Sequence, residues 1–301
     1  MNEIDFINNN SQFISWLTTK IYPQSDDVMH SWTSSGHRSV GLKKNIKWAC
    51  NSIWDAYNKY YWGSIDPDSL ERISSIEQTE VCLDKLSKRL IHSLCDEPKE
   101  PLIVTCEKVL AWGGVKSKPR VASFLRYTLL TDSQRQSYLK GCINHLKNQM
   151  RNLDGNDCVS IDGVLYPLQL DSGTTKIFSL LVPGFIIYDS RVGCALGILV
   201  SKWKQETSID VIPDDLRFAW GSGSRSTDRN VNRLLSAKVN YFPKMPHGPS
   251  RLEMNIKASW LCKQLARSAE TLSSDKFALI PFQNRVRAIE AALFMIGYSI
   301  K

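Results

Sequence analysis

The sequence contains no C-x-x-C pair, although it has eight cysteines in 301 residues. Zinc ribbons and iron–sulfur clusters need cysteines at short, fixed spacings, so the missing pair argues against both. Several of the cysteines lie inside apolar stretches, where a free thiol packs as a small hydrophobic group. The eight are Cys50, Cys82, Cys95, Cys106, Cys142, Cys158, Cys194 and Cys262.

Long apolar runs are also missing. None reaches the roughly 20 residues that a membrane-spanning helix needs, and Pro183-Gly184 or charged residues interrupt the longest ones. The first residues, MNEIDFINNN, are acidic and polar, unlike a secretory signal peptide. Scattered cysteines without such a signal are typical of a reducing compartment. We therefore expect a cytoplasmic protein without a membrane partner.

Common catalytic motifs are absent as well. There is no G-x-S-x-G elbow, no H-E-x-x-H pair and no dinucleotide-binding glycine motif. The five histidines lie far apart and give no metal-ligand spacing. We predict neither a metal site nor a cofactor, so any chemistry must come from other side chains.

Positive charge is in excess, with a formal net charge of +8 and an isoelectric point of about 9.0. A basic protein favours an anionic partner, and we predict nucleic acid, DNA in particular. Two segments carry basic groups that suit phosphate contacts, and a solvated basic surface is the alternative reading. These groups are Lys116, Lys118 and Arg120 after a glycine pair, and Arg225, Arg229 and Arg233 at four-residue spacing.

Hydrophobic periodicity predicts a mainly α, multi-helix globular fold with at most a small β-hairpin. Residues 1–60 are predicted to be helical, including an aromatic-rich helix from Lys43 to Tyr61, and Asp162-Gly163 indicates the hairpin. A charged, proline-bounded loop near residue 100 suggests an N-terminal helical subdomain over 1–100 and a helical core over 101–301. A single domain is the alternative.

The most informative stretch covers residues 168–200, LQLDSGTTKIFSLLVPGFIIYDSRVGCALGILV. Its pattern predicts a turn at 171–173, a short helix at 174–181 that Pro183-Gly184 ends, and an apolar helix at 192–203. Asp189 directly precedes the second helix. An aspartate there is typical of an N-cap, and the same geometry presents a carboxylate to a cation, a water or a sugar.

This stretch resembles the helix-hairpin-helix DNA glycosylases, the superfamily of endonuclease III and oxoguanine glycosylase. Those proteins carry a hairpin of the form L-P-G-V-G-x-K, then a helix, then a V-D-T-H-V segment. Leu170 and Lys176 stand at the hairpin spacing, with Ser172 and Thr174 in place of its glycines, and Tyr188-Asp189-Ser190-Arg191-Val192 is similar to the aspartate segment.

The resemblance implies a helix-hairpin-helix-like centre. It implies that Asp189 is the catalytic aspartate, which supports a positively charged sugar as a damaged base leaves. It also implies that Lys176 is the lysine that some members use as a nucleophile, and Arg191 would lie beside the nucleic acid.

Two function hypotheses follow. The first is a nucleic-acid-binding protein related to base-excision DNA glycosylases that acts on modified or damaged DNA. The second is a non-catalytic helical subunit of a multi-protein assembly, such as a bacterial defence system, in which Asp189 only caps a helix. A nuclease or toxin of another type has no positive motif in the sequence.

Overall fold

The computed structural model describes residues 1–22, 25–37, 41–95, 98, 100–115, 125, 128–129, 131–223, 227–235, 241–245, 249–272, 277 and 279–301. Within these ranges the fold is mainly α, as the sequence predicts. The helices are α1 (Glu3–Asn9), α2 (Ser11–Thr19), α3 (Ile53–Asn58), α4 (Ile76–Ser93), α5 (Leu102–Trp112), α6 (Asp132–Gln149), α7 (Thr174–Leu181), α8 (Ser190–Thr207), α9 (Pro249–Thr271) and α10 (Phe282–Ile296).

The β structure consists of small antiparallel pairs. Three pairs occur in the described ranges: β1 (His30–His37) with β2 (Leu42–Cys50), β3 (Ser64–Ile65) with β4 (Arg72–Ile73), and β5 (Cys158–Ile161) with β6 (Val164–Pro167). The last pair confirms the predicted hairpin at Asp162-Gly163, whose two residues have the positive φ values that a tight hairpin turn favours.

The prediction of helix throughout residues 1–60 is wrong. Part of the predicted helix from Lys43 to Tyr61 is strand β2, and only Ile53–Asn58 is helical. Trp48 stacks on its cross-strand partner Trp32, with ring centroids 5.2 Å apart. This pair stabilises the hairpin, while Ile46, on the predicted apolar face, is 39% exposed. The local spacing of apolar residues did not reveal a strand pairing that depends on residues 30–37.

The predicted helix pair around Pro183-Gly184 is confirmed. Helix α7 ends at Leu181, Gly184 adopts a φ of +76°, and α8 begins at Ser190. Asp189 is the N-cap of α8, because its side chain accepts hydrogen bonds from the backbone N–H groups of Arg191 and Val192. The turn at Gly184 and the capping hydrogen bonds fix the position of the Asp189 side chain.

Helix α8 is the central element of the fold. It is buried along most of its length and packs against α2 and α10. A side chain at Gly297, after α10, would collide with the carbonyl oxygen of Arg191 in the first turn of α8. Glycine therefore permits the end of α10 to lie directly on the helix start that carries Asp189.

One contiguous hydrophobic core contains side chains from Phe6 in α1 to Ile300 near the C-terminal end. Helix α9 joins distant parts of the chain, since the Trp260 Nε1–H donates to the carbonyl of Met150 at 2.8 Å. The division into 1–100 and 101–301 stays a prediction. Among the helices within the described ranges, none has the length and apolar character needed to cross a membrane.

Candidate active site

A cavity of about 290 Å³ lies between α4, the end of α5, α7, α8 and α10. Both residues that the sequence singles out for catalysis, Lys176 and Asp189, line it. Lys176 comes from the first turn of α7 and Asp189 from the residue before α8. The volume is close to the lower end of the range typical of small-molecule pockets.

The two carboxylate oxygens of Asp189 lie in different environments, one hydrogen-bonded to the backbone and the other not hydrogen-bonded to a described residue. Oδ1 accepts both capping bonds, at 2.8 Å from the N–H of Arg191 and 3.1 Å from the N–H of Val192. No described residue donates a hydrogen bond to Oδ2 or forms an ion pair with the carboxylate. Burial alone would raise the pKa of Asp189, but the opposing effect of Lys176, Arg191 and the Val192 N–H holds it below its usual value. Asp189 is therefore a carboxylate at neutral pH, with one oxygen available to a ligand.

Lys176 is a buried amine beside that carboxylate. Its side chain is 8% exposed, and its Nζ donates to the carbonyl oxygen of Ser172 at 2.6 Å. Burial lowers its pKa, and the carboxylates of Asp189 and Glu290 oppose this effect only in part. A lysine with a lowered pKa holds more of the neutral amine, which is the nucleophilic form.

The side chain of Arg191 turns back over aromatic rings at the cavity wall. Its guanidinium carbon lies 3.6 Å from the ring centroid of Trp62, 4.3 Å from that of Phe294 and 5.0 Å from that of Tyr298. Such stacking holds a guanidinium plane in place through cation–π attraction. Burial, followed by the neighbouring Arg229, lowers the pKa of Arg191, which still stays protonated at neutral pH.

Two further groups of polar contacts fix the cavity walls. Arg229 donates to the Ser190 hydroxyl at 2.7 Å and to the Tyr298 carbonyl at 3.1 Å. Glu290 accepts from the backbone N–H of Ile187 at 2.8 Å and from Arg287 at 3.0 Å. The second group ties the segment that carries Asp189 to α10.

The structure brings together Lys176, Asp189, Arg191 and Arg229 of the residues predicted to act in catalysis or nucleic-acid binding. Arg233 lies outside the cavity lining, with a largely exposed side chain that pairs with Asp228 at 2.5 Å. The remaining predicted binding residues lie outside the described ranges and stay predictions: Lys116, Lys118, Arg120 and Arg225.

Sequence reasoning missed most of the cavity wall. Trp62 lies just beyond the aromatic-rich helix predicted at 43–61, and no motif in the sequence points to Glu290 or Phe294. Their positions in the cavity depend on contacts with Ile187 and Arg191, more than 100 residues away in the chain. The one available signal is a basic residue within a stretch rich in apolar residues, Arg287.

Comparison of the chain with protein family models, with curated proteins and with solved structures gives no match. The functional argument therefore depends on the cavity itself and on the chemistry of the residues that line it.

Proposed function

We propose that this protein binds nucleic acid and removes modified or damaged bases from DNA in the manner of a base-excision glycosylase. The observation that carries the proposal is the joint placement of Lys176 and Asp189 on one cavity with aromatic walls. Glycosylases turn the target nucleotide out of the duplex into such a pocket, where the base stacks on aromatic or apolar side chains. Tyr60, Trp62 and Phe294 supply those surfaces.

In this proposal the free Oδ2 of Asp189 faces the sugar of the flipped nucleotide. As the bond between C1′ and the base nitrogen lengthens, positive charge develops on the sugar, and a fixed carboxylate in a water-poor site stabilises it. The base leaves with the bonding electrons and takes up a proton. Water then adds at C1′ and loses its proton, which gives an abasic site.

Lys176 offers a second route at the same carbon. Its neutral amine would form the C1′–N bond as the bond between C1′ and the base breaks. Cleavage of the C1′–O4′ bond, with an amine proton passing to O4′, would then open the sugar and give a protonated Schiff base. The lowered pKa of Lys176 supports this role, because the protonated amine has no lone pair for attack. The two routes differ in one observable, the covalent intermediate.

The test uses wild-type protein, Asp189→Asn and Lys176→Gln with duplex oligonucleotides that each contain one oxidised, deaminated or alkylated base. We expect base release by the wild type, a loss of at least about 100-fold in Asp189→Asn, and borohydride trapping that requires Lys176. Lys88→Gln is the matched control, since it removes one positive charge from an exposed side chain outside the cavity. Wild-type protein that releases no base from the whole panel would contradict the proposal.

The alternative is a non-catalytic helical subunit, and the capping geometry of Asp189 favours it. Because Oδ1 satisfies two N–H groups of α8, the residue has a structural role that needs no substrate. In that case Asp189→Asn would keep every binding and partner-association property of the wild type. Co-purification of a stoichiometric partner with both wild type and Asp189→Asn, together with no base release, would support this reading.

A further inference from the structure

Two hydrogen-bond donors at the cavity have no acceptor. The Nη1 of Arg191 and the Nε1 of Trp112 are buried, and neither has a partner among the described residues. Both residues line the cavity, and Arg191 is only 5% exposed. A buried donor without an acceptor destabilises the protein, so such groups call for a ligand that supplies acceptor atoms.

The charges that line the cavity give the same indication. Arg287 and Glu290 are paired with each other, and Glu80 accepts a hydrogen bond from the Tyr57 hydroxyl. Arg191 and Arg229 form no ion pair with a described residue, and Asp189 is the carboxylate that acts on both guanidiniums. One carboxylate therefore faces two guanidinium charges. Buried charge without a counter-charge is costly, so the cavity favours an anion.

The two arginines are held ready for such a ligand. Three aromatic rings fix the guanidinium of Arg191, and the Ser190 hydroxyl and Tyr298 carbonyl fix that of Arg229. A planar guanidinium presents parallel N–H donors that match two oxygens of a phosphate or carboxylate. Binding then needs little further ordering of these side chains.

We propose that Arg191 and Arg229 form an anion subsite in this cavity that binds a phosphate ester. The ester would be a phosphodiester of the nucleic-acid strand or the phosphate of a free nucleotide. The phosphate subsite itself is argued from the cavity, whereas the assignment of the phosphate to a nucleotide rests on the proposed function. Asp189 and Lys176 lie on the same cavity, so a phosphate at Arg191 would place the attached sugar near both.

The first test needs no variant. Calorimetric titrations at constant ionic strength compare inorganic phosphate, deoxyguanosine 5′-monophosphate and uncharged deoxyguanosine. We expect the monophosphate to bind about 10- to 100-fold more tightly than the nucleoside, the range typical of hydrogen bonds to charged groups, and phosphate to compete with it. Equal affinity for nucleoside and monophosphate would overturn the proposal, because a neutral base edge would then be the recognised group.

The second test removes one charge at a time. Arg191→Gln keeps an amide donor but shortens the side chain and removes the charge, and we expect a loss of about tenfold or more in monophosphate affinity. Lys88→Gln is the control, because it removes the same charge from an exposed position of α4 outside the cavity. Unchanged affinity in a folded Arg191→Gln protein, or equal losses in both variants, would refute the subsite.

A third measurement separates the two sources of phosphate. An oligonucleotide with one uncharged methylphosphonate linkage, moved along the strand, should lose affinity at a single position if the strand supplies the phosphate. Uniform affinity at every position, together with monophosphate binding, would assign the subsite to a free nucleotide. Because these assays measure binding alone, phosphate binding without base release would leave the subsite standing and contradict only the glycosylase proposal.

Discussion

Asp189 carries two roles that separate cleanly by substitution. It caps α8 through Oδ1, and its charge faces Lys176, Arg191 and Arg229 across the cavity. Asparagine keeps a capping oxygen and removes the charge, whereas alanine removes both. The difference in unfolding free energy between Asp189→Asn and Asp189→Ala therefore measures the cap, and we expect about 1 kcal/mol in favour of asparagine.

The difference between wild type and Asp189→Asn measures the charge. Breaking a fully buried ion pair costs about 3–5 kcal/mol, but Asp189 is partly accessible and forms no direct ion pair within the described ranges. We therefore expect a smaller loss of about 1–2 kcal/mol in Asp189→Asn, because Arg191 and Arg229 lose the carboxylate that they share.

The pH dependence follows from the pKa of Asp189. Since that pKa is lower in the folded than in the unfolded protein, the carboxylate stabilises the fold fully above the unfolded value. This contribution disappears as the pH falls below about 4 and through the folded pKa. Urea unfolding of the three proteins from pH 7 downward provides the measurement. Equal stability of Asp189→Asn and Asp189→Ala, or a wild-type advantage that does not shrink in acid, would refute the reasoning.

Three other predictions concern different parts of the molecule. Gly113→Ala would place a methyl group against the Lys176 side chain, so we expect Schiff-base trapping to fall about tenfold or more. Thermal melts should show that the unfolding free energy changes by less than about 1 kcal/mol. Burial lowers the pKa of His30 to about 4, so on acidification the unfolded state takes up the proton first and the unfolding free energy should fall by about 3 kcal/mol from pH 6.5 to 4. In urea titrations, His30→Gln should remove this pH dependence. Nucleic-acid affinity should decrease linearly on a log–log plot against salt, and anisotropy titrations without binding at low salt would contradict a nucleic-acid partner.

The sequence predicts the centre of this fold because the signals there are local. Pro183-Gly184 ends one helix, and Asp189 before an apolar run starts the next, so no distant contact is needed to place them. The sequence did not predict the hairpin of β1 and β2, because it depends on the pairing of Trp48 with Trp32. The spacing of apolar residues along the segment is compatible with a helix and does not reveal that pairing.

Only two residues of the candidate site are predictable from the sequence, the proposed catalytic pair. Lys176 and Asp189 lie within one short segment, so their placement on the same cavity follows from a helix, a turn and the start of the next helix. The aromatic rings that stack on Arg191 come instead from Trp62, far before this segment in the chain, and Phe294, far after it. Their meeting depends on the packing of α8 against α10, which periodicity alone does not specify.

The distribution of charge in the cavity bears on the choice between enzyme and scaffold. A structural core gains no stability from two guanidiniums, Arg191 and Arg229, that share one carboxylate, since well-packed apolar side chains would serve as well or better. Shifted pKa values are frequent where a protein binds or transforms a ligand. If an anion relieves that excess charge, its binding should also raise the unfolding temperature in proportion to the logarithm of its concentration. The scaffold reading explains the cap at Asp189, but it gives no reason for the buried Nη1 of Arg191 that has no acceptor among the described residues.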